Sequence, residues 1–153
     1  MSEIASNTYS CSVAKTVEVV GERWTVLILR EAFLGVRRFD HMQRDLGIAR
    51  NILSDRLGKL VEHGILERRQ YQDRPPRHEY RLTERGRDLH PVIVTLMAWG
   101  DKHLPNPAGP PVTLVHEPCG QEMTPVMTCP HCHGSVDARN VRAHAGPGLR
   151  DVA

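Results

Sequence analysis

Phe39-Asp40-His41-Met42-Gln43-Arg44-Asp45-Leu46-Gly47-Ile48-Ala49-Arg50-Asn51-Ile52-Leu53-Ser54-Asp55-Arg56-Leu57-Gly58-Lys59-Leu60-Val61-Glu62-His63-Gly64 is the stretch whose reading decides the fold. Phe39, Met42 and Leu46 fall three and four residues apart, which is one face of a helix over about 39–46. Gly47 interrupts the pattern. It resumes over about 49–63, where Leu53, Leu57, Leu60 and Val61 form an i, i+4, i+7, i+8 stripe. Gly64 stands where a left-handed residue ends such a helix. Two amphipathic helices joined by a short glycine-containing turn make a helix-turn-helix.

Upstream, apolar residues at 13, 14, 17 and 20 give one helical stripe, ended by Gly21. A second helix is expected over about 22–34, with Trp24, Leu27, Ile28 and Phe33 largely inward and Gly35 after it. Downstream the period changes to two. Residues 65–71 and 78–82 read as strands, and the polar connection 72–77 contains Pro75 and Pro76, which can continue neither. The expectation is a β-hairpin with a basic tip directly after the second helix of the motif.

Thr83 is suited to cap a following helix, which Pro91 must kink or restart. Beyond it Val92, Ile93, Leu96, Met97 and Trp99 are so apolar that a covering partner is expected, most simply a second copy of the chain. Pro105, Pro107, Pro110 and Pro111 then mark a linker. The fold class is α+β, mostly helical: a winged helix-turn-helix with a two-stranded hairpin wing and dimerisation helices, plus a small Cys/His-rich C-terminal segment. The divisions are 1–103 for the winged domain, 104–115 for the linker, 116–143 for the Cys/His-rich segment and 144–153 for a flexible tail.

Composition narrows the function classes. The chain has 153 residues, 40% hydrophobic and 25% charged, and its apolar runs fall short of the ~18 residues that a membrane span needs. Met1-Ser2-Glu3-Ile4 shows no basic start followed by an apolar stretch, so no secretory leader and a cytoplasmic location are expected. The four cysteines then read as thiols or metal ligands. Residues 22–90 carry 15 Lys/Arg against 11 Asp/Glu, with ten basic residues from Arg37 to Arg77. This is the distribution of a phosphate-binding face, or of a mixed solvated surface. No Ser-His-Asp order, phosphate-cradling glycine loop or open metal site is legible, so no enzyme is expected.

With the leucine stripe buried, the outward groups of the second helix are Arg50, Asn51, Ser54 and Asp55. Arginine grips guanine and asparagine grips adenine in the major groove of duplex DNA, each through two hydrogen bonds. Ser54 suits base or phosphate, and Asp55 suits orienting an arginine. Arg56 and Lys59 flank the face as phosphate ligands, and Gly58 lets the helix approach closely. Arg74 and Arg77 at the hairpin tip are placed for an adjacent minor groove. Arg37 and Arg38 are candidates for backbone contacts.

The runs Gly21-Glu22-Arg23-Trp24-Thr25, Ile28-Leu29-Arg30-Glu31, Gly35-Val36-Arg37-Arg38-Phe39, Leu53-Ser54-Asp55-Arg56-Leu57, Gly64-Ile65-Leu66-Glu67-Arg68, Pro75-Pro76-Arg77-His78-Glu79-Tyr80 and Leu82-Thr83-Glu84-Arg85-Gly86 resemble the HxlR-type regulators, in order, over roughly 11–100. The resemblance implies a MarR-like winged-helix homodimer acting on operator DNA, with repression the expected output. Ala49-Arg50-Asn51 departs from the capping Ser and the Lys often found there, so base preference does not carry over. Cys11 matches a position where some of these proteins sense electrophiles or disulfide stress. It begins the first helix, where the dipole favours a thiolate. A small-molecule or electrophile effector is therefore one expectation, and an inert small residue is the other.

In the tail, His116-Glu117-Pro118-Cys119-Gly120 and Cys129-Pro130-His131-Cys132-His133-Gly134 each hold two soft donors separated by two residues. His116, Cys119, Cys129 and Cys132 together would make a closed tetrahedral, structural Zn2+ site, with His131 or His133 as substitutes for His116. A metal-free tail is the alternative. At the level of the whole chain the alternative to operator binding is a protein-interaction module built on the winged helix and the zinc ribbon.

Overall fold

The computed structural model describes residues 11–149. The expectations for the first four residues and for the last four positions of the 144–153 tail lie outside the described residues. The helices are α1 (Ser12–Val20), α2 (Arg23–Phe33), α3 (Phe39–Leu46) and α4 (Arg50–Glu62). The Glu22 carboxylate caps α2 by accepting from Trp24 N–H at 2.9 Å, which satisfies one of the orphan donors of the first turn. Gly47 ends α3 at φ +61°, a conformation that costs an ordinary L residue about 1–2 kcal/mol.

The apolar stripes meet in one core. Ile28 and Leu29 of α2, Met42 of α3 and Leu53, Leu57 and Leu60 of α4 are fully buried, together with Leu66. Each such side chain contributes roughly 1.5–3 kcal/mol relative to exposure. β1 (Leu66–Gln72) and β2 (Arg77–Leu82) follow as an antiparallel hairpin, pairing Leu66 with Leu82, Arg68 with Tyr80 and Gln70 with His78. Its tip is tied by Gln70 Nε2, which donates to Gln72 O and Asp73 Oδ1, and by Gln72 Nε2, which donates to Arg74 O. The segment before α3 lies beside β2: the backbone of Arg38 forms an antiparallel β-bridge with that of Glu79, and Tyr80 N–H donates to Arg37 O at 2.8 Å.

The helix capped by Thr83 lasts one turn. Thr83 Oγ1 accepts from Gly86 N–H at 3.0 Å, and α5 covers only Glu84–Arg87 before α6 begins at His90 and runs to His103. Gly86 is pressed so closely onto β1's entry that a Cβ there would stand 2.2 Å from Ile65 O. That docking fixes α5, and the chain restarts as a new helix with Pro91 in its first turn, where a missing N–H is tolerated.

Described residues up to Ile93 form one compact unit and those from Val94 onward a second. The first is an α+β winged helix-turn-helix. The second contains a hairpin of two short strands, β3 (Leu114–His116) and β4 (Gln121–Met123), and a 3₁₀ turn at Pro147–Leu149. Among the described residues, no helix is long and apolar enough to cross a membrane.

Candidate nucleic-acid interface

Burial of the Leu53, Leu57 and Leu60 stripe turns the opposite face of α4 to solvent. Arg50, Asn51, Ser54, Asp55, Gly58 and Lys59 are all exposed there. The Arg50 guanidinium lies over the Phe39 ring, 5.0 Å from its centroid. Ala49 is the cap residue of α4 and brings no side-chain acceptor to its first turn. A Cβ at Gly58 would meet nothing within 4 Å, so no packing among the described residues requires glycine at that point. Asp55 Oδ2 stands 3.2 Å from Lys59 Nζ and 3.6 Å from Arg56 Nη1.

Arg56 has a different place from its neighbours. Its side chain is 24% exposed, and Nε lies 3.3 Å from Glu22 Oε2 at an angle that makes an ion pair but no hydrogen bond. The same carboxylate caps α2, so Arg56 braces the two helices.

Arg74 and Arg77 are exposed at the hairpin tip, and Arg37 and Arg38 are exposed before α3. The Arg38 guanidinium lies over the Tyr71 ring at 4.8 Å. A groove of about 490 Å³ opens between α3, α4 and the hairpin, lined among others by Phe39, Arg50, Ser54, Arg68, His78 and Tyr80. Arg68 Nη2 is 3.0 Å from His78 Nδ1. Sequence reasoning missed Arg68. The signal was available: Leu66 points into the core, so two residues on Arg68 shares its strand face, just past the core's edge.

Ion pairs occupy several of the other arginines. Arg69 pairs with Glu67 at 2.9 Å, Arg81 with Glu79 at 2.6 Å, Arg44 with Asp45 at 2.8 Å, and Arg87 with Glu84. The hydrogen bond from Arg87 holds the Glu84 carboxyl below its usual range. Among the described residues, Arg37, Arg38, Arg50, Arg68, Arg74 and Arg77 around this face have no carboxylate within ion-pair distance, and neither do Arg23 and Arg85 elsewhere in the winged unit.

The remaining sequence candidates belong to other elements. Cys11 is the exposed cap residue of α1, and its thiol accepts no hydrogen bond from the first turn. Val13 and Val17 of α1 are exposed, as are Val92, Leu96 and Trp99 of α6. In the second unit His116 Nδ1 is 3.3 Å from Cys119 Sγ. The backbone N–H groups of Cys132 and His131, then the Cys132 thiol, hold the Cys129 thiol below its ordinary value. The four expected metal donors thus stand as two pairs. Among the described residues, no three His, Cys, Asp or Glu side chains are gathered as a metal site.

Residues 19–108 match the family model described as HxlR-like helix-turn-helix. An uncharacterized HTH-type transcriptional regulator of Mycobacterium tuberculosis (strain ATCC 25618 / H37Rv) is 55% identical over 139 residues, 91% of this chain and 88% of that protein. A crystal structure of a candidate transcription factor, PA1607, superposes with a TM-score of 0.79 at 35% identity, covering 90% of this chain and 96% of that one. The oxidized form of the redox regulator HypR superposes at 0.57 with 33% identity, covering 61% of this chain and 97% of that one. HypR is therefore matched almost whole by part of this chain, whereas PA1607 extends over most of it. The chain belongs to the HxlR-like helix-turn-helix family of DNA-binding transcriptional regulators.

Proposed function

We propose that the protein acts in the cytoplasm as a homodimer that binds a pseudo-palindromic operator in double-stranded DNA and represses by occupying it. The observation that carries this reading is the clustering of exposed arginines around the helix-turn-helix and its wing. Those on the outer face of α4, at the hairpin tip and before α3 are exposed and without carboxylate partners, whereas Arg69, Arg81 and Arg87 are paired. In this reading Arg50, Asn51 and Ser54 meet base edges in the major groove. Arg37, Arg38, Lys59, Arg74 and Arg77 meet phosphates or the flanking minor groove. Arg68 sits between the two sets. Arg56 braces α4 rather than touching DNA.

The exposed apolar residues of α1 and α6 support a dimer, because surfaces of this kind are covered in stable assemblies. Two-fold symmetry sets half-site centres about one helical turn, ~10 bp, or a multiple of that apart. The test is to recover bound fragments from sheared genomic DNA and then compare variants on the recovered site. Asn51→Ala should cost about 1–3 kcal/mol and relax one base position. Arg74→Ala should weaken all sequences alike and lower the salt slope by about one. Equal losses on every DNA for both variants would contradict this division of labour, and salt-independent binding would favour a protein-interaction module.

Cys11 is assigned the effector response, on its exposure at a helix start. Alkylating Cys11 with an electrophile should then change operator affinity. Unchanged affinity after alkylation verified by mass would remove the role. Residues 116–143 are read as a zinc-ribbon-like extension, on the matched spacing of His116 with Cys119 and of Cys129 with Cys132.

A further inference from the structure

The unit that begins at Val94 has defined turns and almost no apolar interior. Among its described residues only Val94 is buried, while Val112, Val115, Met123, Val126 and Met127 are exposed. A lone two-stranded hairpin is marginal in water, and segments of this size without a core are held by a cross-link, a metal or a partner. Cys119, Cys129 and Cys132 are all free thiols.

Two turns in this unit share one construction. At the tip of β3 and β4, Gly120 N–H donates to His116 O at 2.8 Å, and Gly120, the residue after Cys119, is left-handed at φ +68°. Thirteen residues further on, His133 N–H donates to Cys129 O at 2.9 Å, and His133, the residue after Cys132, is left-handed at φ +56°. In both, a donor, two spacers, a cysteine and a left-handed residue close on the carbonyl of the first donor. A non-glycine residue at positive φ is uncommon, and the second turn holds it with the Thr128–Ser135 bridge and a 2.9 Å bond from Cys129 N–H to Gly134 O.

We propose that one Zn2+ per chain, held by His116, Cys119, Cys129 and Cys132, takes the place of a hydrophobic core in the C-terminal unit. This rests on the zinc-ribbon reading and goes further, since it makes folding of the unit depend on the ion. The two turns are half-sites: among the described residues no three of these donors are gathered, so the ion is what draws the two pairs together. Three thiolates and one imidazole match the donor set of closed, four-coordinate zinc, and nine residues link Cys119 to Cys129. Binding free energy in such sites is folding free energy, because the site does not exist in the unfolded chain.

The test uses the full chain, purified reduced, with zinc alone as the probe. One zinc per chain is expected by elemental analysis. Cobalt substitution should give the strong visible absorption of a tetrahedral thiolate-rich site. Chelation should collapse the amide resonances of residues 114–136 to random-coil positions, leave those of 23–93 in place, and reverse on adding zinc. His116→Ala should bind zinc at least ten-fold more weakly and His116→Cys should retain it. Cys11→Ser should retain one zinc. Reduced protein that takes up no zinc, with all three tail thiols open to alkylation, would overturn both the ribbon reading and the core role. Stoichiometric zinc whose removal leaves residues 114–136 folded would keep the ribbon and overturn the core role.

Discussion

The two units solve the same problem with different materials. The winged unit buries seven large side chains completely, drawn from α2, α3, α4 and β1, so residues distant in sequence hold one another. The C-terminal unit closes its turns with hydrogen bonds between residues a few positions apart, such as Gly120 N–H to His116 O. Apolar burial is non-directional and grows with the number of contributing residues, whereas a turn is specified locally and gains little from its neighbours. The first unit can therefore present a surface of unpaired charges while its core holds it together. The second has almost no apolar interior to hold its turns.

That contrast can be broken by substitution. The largest effect belongs to Leu57→Ala, which removes a fully buried side chain from the centre of α4. It should lower unfolding stability by about 2–5 kcal/mol, measured by urea denaturation followed at Trp24. A loss below about 1 kcal/mol would show that the leucine stripe is not what secures the winged unit. The smallest effect belongs to Met127→Ala, a large apolar side chain 73% exposed in the second unit. Its stability change should stay within about 0.5 kcal/mol, read from the amide resonances of residues 114–136 during the same titration. A core-sized loss there would mean that Met127 is covered, and the comparison would fail on the side of the C-terminal unit.

How much of this was legible in the sequence follows from the same physics. The leucines of α4 repeat with the helical period because one face is buried, so spacing alone located the helix, and Gly47 and Gly64 marked its limits. The wing was legible because its strands change period and Pro75 and Pro76 interrupt them. What periodicity cannot register is which distant residue a side chain meets. The Glu22 carboxylate at Arg56, the close approach of Gly86 to Ile65 O, and the place of Arg68 in the groove all arise from tertiary contact. Strands β3 and β4 escaped for another reason: three residues are too few to show alternation.

The two stacked guanidiniums have a consequence for recognition kinetics. Arg50 rests on Phe39 and Arg38 on Tyr71 before any nucleic acid is present. A long flexible side chain normally gives up about 0.5–1.5 kcal/mol of rotamer freedom when a partner immobilises it. Here the aromatic rings have already narrowed those rotamers, so an incoming duplex would find two cations aimed rather than wandering. The aromatic residues of such a face thus tune how readily it engages a binding site without touching a base, as a sprung stand steadies a tool it never uses.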